Sequence, residues 1–386
     1  MTHNTLPPPP LRNPAASRPV ATGGASALPV ASFQSLPLAA LQAWLAPRMP
    51  DMAGTLSAQK IDGGQSNPTW ILRSAQAPQR AWVLRAKPAP AVTLMPSAHA
   101  IEREYQVLAA LQGSGVPVPR VRALCEDESV LGVAFYLMDF VEGRVLRDVT
   151  LPAVPRGERA AYFKAMNDTL VALHLTPWRS IGLQDFGRLD GYFSRMIHRW
   201  SKQYRASTSA PSTAMERLMD WLPAHLPPDA DAGEPTCISH GDFRLENLIF
   251  HPTEARVVAV LDWELSTLGH PLADLSYSCM SWHLPPGLLR GLDTLDLPAL
   301  GLPTQRSQVQ RYCAATGRDF AALQAHWPFY LAFNLFRLAA ILQGIAHRHQ
   351  QGLAASASAA DIGILAAPVA ERGWALASGA LDAMGP

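Results

Sequence analysis

The stretch Ile238-Ser239-His240-Gly241-Asp242-Phe243-Arg244-Leu245-Glu246-Asn247-Leu248-Ile249-Phe250, followed by Val257-Val258-Ala259-Val260-Leu261-Asp262-Trp263-Glu264, decides the reading of this chain. It presents a carboxylate, four intervening residues, an asparagine opening a short apolar run, and a second carboxylate closing the next apolar run. Such runs, separated by the turn formers of His251–Ala255, predict short strands at Asn247–Phe250 and Arg256–Leu261. Asp262 lies twenty residues after Asp242, and a hairpin between the two runs would bring Asn247 and Asp262 to one side of a cleft.

Phosphoryl transfer asks little covalent chemistry of a protein. It needs an acceptor hydroxyl held in line and neutralisation of charge on the phosphates. An aspartate on a short rigid loop can accept the hydroxyl proton, and an asparagine carbonyl oxygen with a second aspartate are hard oxygen ligands suited to Mg²⁺.

Working outward, residues 56–140 read as strands with one helix. The strands are expected at Leu56–Ile61, Thr69–Ala75, Ala81–Ala86, Val121–Cys125 and Ala134–Phe140, and the helix at Ala98–Gln112, closed by Gly113. Hairpins with a lone helix predict an α+β lobe with an antiparallel five-stranded sheet. Beyond Glu142-Gly143 the periods become helical, at about Gly157–Leu175, Gly191–Tyr204, Ala214–Leu226, Leu272–Trp282, Thr304–Thr316, Phe320–Gln350 and the C-terminal stretch. The expected organisation is a Pro/Ala-rich disordered tail over 1–32, a small nucleotide-binding lobe over 33–141 and a larger helical lobe over 142–386, with a ligand cleft between the lobes. Leu284–Pro303, rich in proline, reads as a surface excursion.

These features resemble the aminoglycoside phosphotransferase family, whose H-G-D-x-x-x-x-N and D-x-E motifs are matched at His240–Asn247 and Asp262–Glu264. That family shares the two-lobed protein-kinase-like fold. The resemblance implies that Asp242 is the catalytic base, that His240 supports its loop, that Asn247 and Asp262 bind Mg²⁺, and that Asp274 braces the catalytic loop. It further implies ATP as phosphoryl donor, with Gly63, Gly64, Ser66 and Asn67 in a glycine-rich loop over the phosphates. Arg85 occupies the position of the third-strand lysine, Lys87 on the same strand face being the alternative cation, and Glu104 is the expected helix partner. Met138 and Phe140 fall in the hinge that would receive the adenine edge. The tract after Asp262 is compact and lacks A-P-E, which favours a small-molecule acceptor over a protein.

The tracts Val83–Pro88, Leu94–His99, Val116–Val121, Leu124–Asp127, Phe135–Arg144 and Phe333–Ile345 resemble the phosphotransferase domain of the branch fused to acyl-CoA dehydrogenases, over about Ser57 to Arg348. That likeness points to a hydroxyacyl-CoA or hydroxy acid as acceptor. Alternatives from other classes are another small hydroxyl substrate (amino alcohol, sugar or aminoglycoside) and a catalytically idle nucleotide-binding module. Walls for the acceptor are expected from Leu284–Pro303 and the helix around Arg337.

Composition narrows the field. With 32 basic and 31 acidic residues in 386, the chain offers no charge surplus for nucleic acid. Cys125, Cys237, Cys279 and Cys313 form no C-x-x-C pair, the pattern of buried thiols in a reducing cytoplasm. No secretory signal pattern opens the sequence. Pro328–Ala346 approaches the length of a membrane span, but Arg337 at its centre favours a buried core helix, so no membrane partner is expected. A homodimer is compatible with these features without being indicated by any residue.

Overall fold

The structure is a computed structural model and describes residues 36–52, 54–61, 67–88, 100–208, 210, 212–233, 235–352 and 359–385. Gly63, Gly64, Ser66, Leu94–His99 and the 1–32 tail lie outside the described residues.

Strands β1 (Leu56–Lys60), β2 (Thr69–Ser74), β3 (Ala81–Ala86), β4 (Val121–Cys125) and β5 (Phe135–Asp139) form one antiparallel sheet in the order β1-β2-β3-β5-β4. The interior strand β5 reads Phe-Tyr-Leu-Met-Asp and buries its first four residues, as a strand covered on both faces must. Helix α1 (Leu38–Leu45) precedes the sheet, and α2 (Ile101–Leu111) follows β3. The buried stripe of α2 is Ile101, Glu104, Val107, Leu108 and Leu111, a helical spacing in which Glu104 is the single charged member. The antiparallel five-stranded sheet agrees with expectation. The expectation of one helix in this lobe is corrected by α1 and by the single turn α3 (Glu128–Leu131), which closes on Gly132 in the left-handed conformation.

The remaining elements build a mostly helical lobe. They are α4 (Arg159–Leu175), α5 (Tyr192–Ala206), α6 (Thr213–Ala224), α7 (Pro271–Ser278), α8 (Leu297–Leu300), α9 (Gln305–Thr316), α10 (Phe320–Gln350), α11 (Ala359–Gly363) and α12 (Ala366–Ala377). Threaded among them are β6 (Arg144–Val145), β7 (Cys237–Ser239), β8 (Leu248–Phe250), β9 (Val257–Val260) and β10 (Thr267–Gly269). β8 pairs with β9 and β6, while β7 pairs with β10. These two small sheets fix both ends of the segment quoted at the outset. Helix α10 is long and apolar enough to cross a bilayer, yet 72% of its apolar window is buried inside the fold. Leu284–Pro303 is not a simple surface excursion, because Leu284, Leu288, Leu292 and Leu302 are buried and Asp293 pairs with Arg372.

His270 caps α7, its Nδ1 accepting the Leu272 N–H at 3.2 Å while its ring stacks on Tyr330. Burial, reinforced by the charges of Arg318 and His174, lowers its pKa from 6.5 to about 3. The folded state therefore resists a proton that the unfolded chain accepts, so this group's stabilisation is complete above pH 6.5 and lost as pH falls toward 3. His270→Asn retains a capping acceptor, and should flatten the decline in thermal midpoint between neutral and mildly acidic pH. An unchanged slope would remove His270 as its source.

Candidate active site

The catalytic loop is the turn between β7 and β8. Gly241 adopts φ +83°, and a Cβ there would stand 2.8 Å from the Leu265 carbonyl oxygen, so both conformation and space require glycine. Asp274, on the first turn of α7, accepts the backbone N–H groups of His240 at 2.6 Å and Gly241 at 2.9 Å. Burial raises the Asp274 carboxyl, but the hydrogen bond and charge of His174, the charge of His240 and the Gly241 N–H outweigh it, and the pKa lies below its ordinary value. His174 in turn meets Tyr312 Oη at 2.7 Å. Asp274 thus fixes the loop from behind.

His240 is fully buried. Its Nδ1 accepts the Asp242 N–H at 3.2 Å, which leaves Nε2 as the donor to the Leu261 carbonyl at 2.9 Å. One ring therefore ties the residue before Asp262 to the backbone of Asp242. This placement makes His240 a positioning residue and keeps it from the cleft.

The Asp242 carboxylate is held from three sides. Oδ1 accepts from the Tyr277 hydroxyl, Oδ2 accepts from Asn247 Nδ2 at 2.8 Å, and Arg244 Nε lies 3.3 Å from Oδ2. Asn247 Nδ2 also donates to the Asp242 carbonyl at 2.9 Å, which turns its Oδ1 away from Asp242. Arg244 continues to Glu246 at 2.7 Å, and Glu246 meets Arg290 at 3.2 Å.

Asp262 follows β9 with φ +67° and ψ 63°, a left-handed conformation costly for a residue with a side chain. Such outliers persist where surrounding contacts enforce them, commonly at functional sites. Here the enforcing contact is Arg85, whose Nη2 lies 2.8 Å from Asp262 Oδ1. Arg85 also pairs through Nε with Glu104 Oε2 at 2.8 Å and approaches Glu264 at 3.7 Å. Glu104 is 1% exposed and receives Tyr136 Oη at 3.0 Å and Asn67 Nδ2 at 2.6 Å. Burial raises the Glu104 pKa against the lowering charge of Arg85. Burial lowers that of Arg85, but the carboxylates around it prevail and hold it well above its ordinary value.

The structure therefore brings together Asp242, Asn247, Asp262, Arg85 and Glu104, with His240 behind them. Other expected residues fall elsewhere. Lys87 lies beyond the end of β3 and pairs with Glu102, so Arg85 is the cation at the carboxylate cluster. Asn67 turns its side-chain amide onto Glu104. Met138 is buried within β5, and the Phe140 N–H is engaged by the Ala81 carbonyl at 3.2 Å, which removes that donor from an adenine edge. Among the described residues Arg337 pairs with no carboxylate; it donates to the Gly241 carbonyl and its guanidinium lies 4.9 Å from the Tyr277 ring centroid. Tyr277, Arg244 and His174 were absent from the sequence-derived site. Tyr277 falls three residues after Asp274 on one helix, the spacing that places two side chains on one face.

Among the described residues no group of three His, Cys, Asp or Glu side chains is placed to hold a metal ion by itself. The Asn247 amide oxygen and the Asp262 carboxylate nonetheless fit a hard divalent cation, since Mg²⁺ commonly takes one or two protein oxygens and completes its shell with phosphate and water. A two-lobed α+β fold with a buried Arg–Glu pair in one lobe, and an Asp/Asn/Asp set in the other, defines a kinase-type small-molecule phosphotransferase.

Comparison with known proteins agrees. The profile of the phosphotransferase enzyme family APH matches residues 57–329, and the chain belongs to that family. A solved structure of a Ralstonia eutropha JMP134 protein described as an aminoglycoside phosphotransferase is 49% identical, with a TM-score of 0.79 over 89% of this chain and 99% of that one. Mouse acyl-CoA dehydrogenase family member 10 is 43% identical over 93% of this chain and 33% of its own length. Chicken acyl-CoA dehydrogenase family member 11 is 41% identical over 86% of this chain and 41% of its own. The chain thus spans less than half the length of these curated relatives. The GDP complex of aminoglycoside 2'-phosphotransferase-IIIa shares the fold at 13% identity, with a TM-score of 0.58 over 87% of this chain and 97% of that one.

Proposed function

We propose that the chain transfers the γ-phosphoryl group of ATP, as its Mg²⁺ complex, to the hydroxyl of a hydroxy acid or a hydroxyacyl-CoA. The observation that carries this reading is the convergence of Asp242, Asn247, Asp262 and Arg85 at one cleft. Asp242 accepts the proton of the acceptor hydroxyl as the new oxygen–phosphorus bond forms and the bond to the leaving ADP oxygen breaks. Tyr277 and Asn247 aim its carboxylate, and Asp274 with His240 fixes the backbone that carries it. When bound, Mg²⁺ supplies charge neutralisation on the phosphates, with Asn247 and Asp262 as its protein ligands. Arg85, held in place by buried Glu104, is positioned to meet phosphate oxygens once nucleotide competes for its contact with Asp262.

The acceptor class is supported by the likeness to the acyl-CoA dehydrogenase family members 10 and 11. A screen for ADP release with hydroxyacyl-CoAs, free hydroxy acids, amino alcohols, sugars and aminoglycosides tests it. Hydroxyacyl-CoAs and hydroxy acids should give the highest kcat/KM. A signal confined to any other class would overturn the acceptor assignment while leaving phosphoryl transfer intact.

A further inference from the structure

Helices α5 and α10 cross beside the catalytic loop, and neither contains an aspartate or glutamate. Helix α5 carries Arg195, Arg199, Lys202 and Arg205, and α10 carries Arg337 and Arg348, in a chain whose net charge is only +1. Exposed cations on helices are ordinarily solvated. Arg337, however, is 5% exposed and has no carboxylate partner among the described residues. A buried guanidinium without a counter-charge is costly, and a second cation beside it adds to that cost. Arg199 is that second cation: burial, and then the charge of Arg337, depresses its pKa.

Helix geometry aligns these groups. On α5, Tyr192, Met196, Arg199 and Gln203 share one face at helical spacing, and on α10 so do Arg337, Ile341, Gly344 and Arg348. The two faces meet. The Tyr192 hydroxyl feels the Arg337 charge, and a Cβ at Gly344 would lie 3.3 Å from Gln203 Nε2 and 3.6 Å from an Arg348 nitrogen. Gln343 Nε2 closes the crossing on the Ser207 carbonyl at 3.1 Å. Arg348 also lacks a carboxylate partner among the described residues, and lies about 16 Å along α10 from Arg337. Arg337 itself touches the loop of Asp242 and the ring of Tyr277, so the line of cations begins at the reacting carboxylate.

We propose that the acceptor lies along the α5–α10 crossing, and that Arg337, Arg199 and Arg348 receive its anionic groups, carboxylate or phosphate, along a track leading out from Asp242. The proposal rests on the phosphotransferase reading above and assigns its acceptor an anionic character.

The test uses the full chain with Mg-ATP and three acceptors: β-hydroxybutyryl-CoA, β-hydroxybutyrate and uncharged butanediol. Arg199→Gln is expected to raise KM for the anionic acceptors about tenfold or more, with kcat within about threefold and KM for butanediol unchanged. Arg205→Gln removes the same charge from an exposed position on the other side of α5 and should change none of these constants. A loss in Arg348→Gln confined to the CoA thioester assigns the outer cation to phosphate; an equal loss with β-hydroxybutyrate, which is too short to reach Arg348 from Asp242, overturns the track. Unchanged KM for both anions in Arg199→Gln, or an equal rise for butanediol, overturns the proposal. If none of the three gives Asp242-dependent ADP release, the acceptor reading fails, and the cation track is judged alone by titrating coenzyme A calorimetrically into protein saturated with Mg-AMP-PNP. Binding weakened about tenfold by Arg199→Gln then upholds the anion track. No binding, or equal binding by the variant, overturns it.

Discussion

Asp242→Asn is expected to slow phosphoryl transfer by about 10³-fold, a loss typical of removing a general base, while Mg-ATP affinity stays within about threefold. The amide keeps the shape of the carboxylate but cannot take the hydroxyl proton. Its neighbours hold it in place: Asn247 and Tyr277 donate to the native carboxylate, and Asp274 grips the loop backbone independently of the side chain. The variant should therefore fold normally and bind nucleotide. Steady-state ADP release and calorimetric titration of Mg-AMP-PNP separate the two effects. Full turnover in the variant would exclude Asp242 as the base, whereas loss of nucleotide binding would assign it a structural part.

The second large effect belongs to Arg85. Arg85→Ala removes the counter-ion of Glu104, a carboxylate buried between β5 and α2. Breaking a buried pair by deleting one partner costs about 3–5 kcal/mol, because the other charge is left without compensation. Denaturant unfolding should show that loss, and KM for Mg-ATP should rise in whatever protein remains folded. Arg85→Lys restores a charge without the planar fork that spans Glu104 and Asp262, so it should recover part of the stability and less of the activity. Replacing both partners, in Arg85→Met with Glu104→Leu, should regain stability but not nucleotide affinity. A stability change below about 1 kcal/mol in Arg85→Ala would show that the pair does not hold the small lobe together.

The parts of this molecule that were legible in the sequence are those governed by short-range pattern. The five strands of the main sheet each deviate from expectation by at most one residue per end, because apolar runs between turn formers specify them locally. The three-residue strands β7 and β10 are too short to show alternation, and only their mutual pairing defines them. Leu284–Pro303 misled because its prolines mark turns, whereas Leu284, Leu288, Leu292 and Leu302 are buried through contacts made elsewhere in the chain. At the site, the loop from His240 to Asn247 and the carboxylate at Asp262 were visible as a spacing. The groups that aim them were not: Tyr277 reaches Asp242 across 35 residues and Arg337 reaches Gly241 across 96. The choice between Arg85 and Lys87 was also beyond a period-two argument, since both share a strand face, and only the end of β3 at Ala86 separates their partners.

The most direct test of phosphoryl transfer to a small-molecule hydroxyl is phosphorus NMR of Mg-ATP and β-hydroxybutyryl-CoA turned over by this protein. A phosphomonoester resonance should grow in step with ADP and be absent with Asp242→Asn. ADP accompanied only by inorganic phosphate, or an ester that forms equally with the variant, would contradict the account.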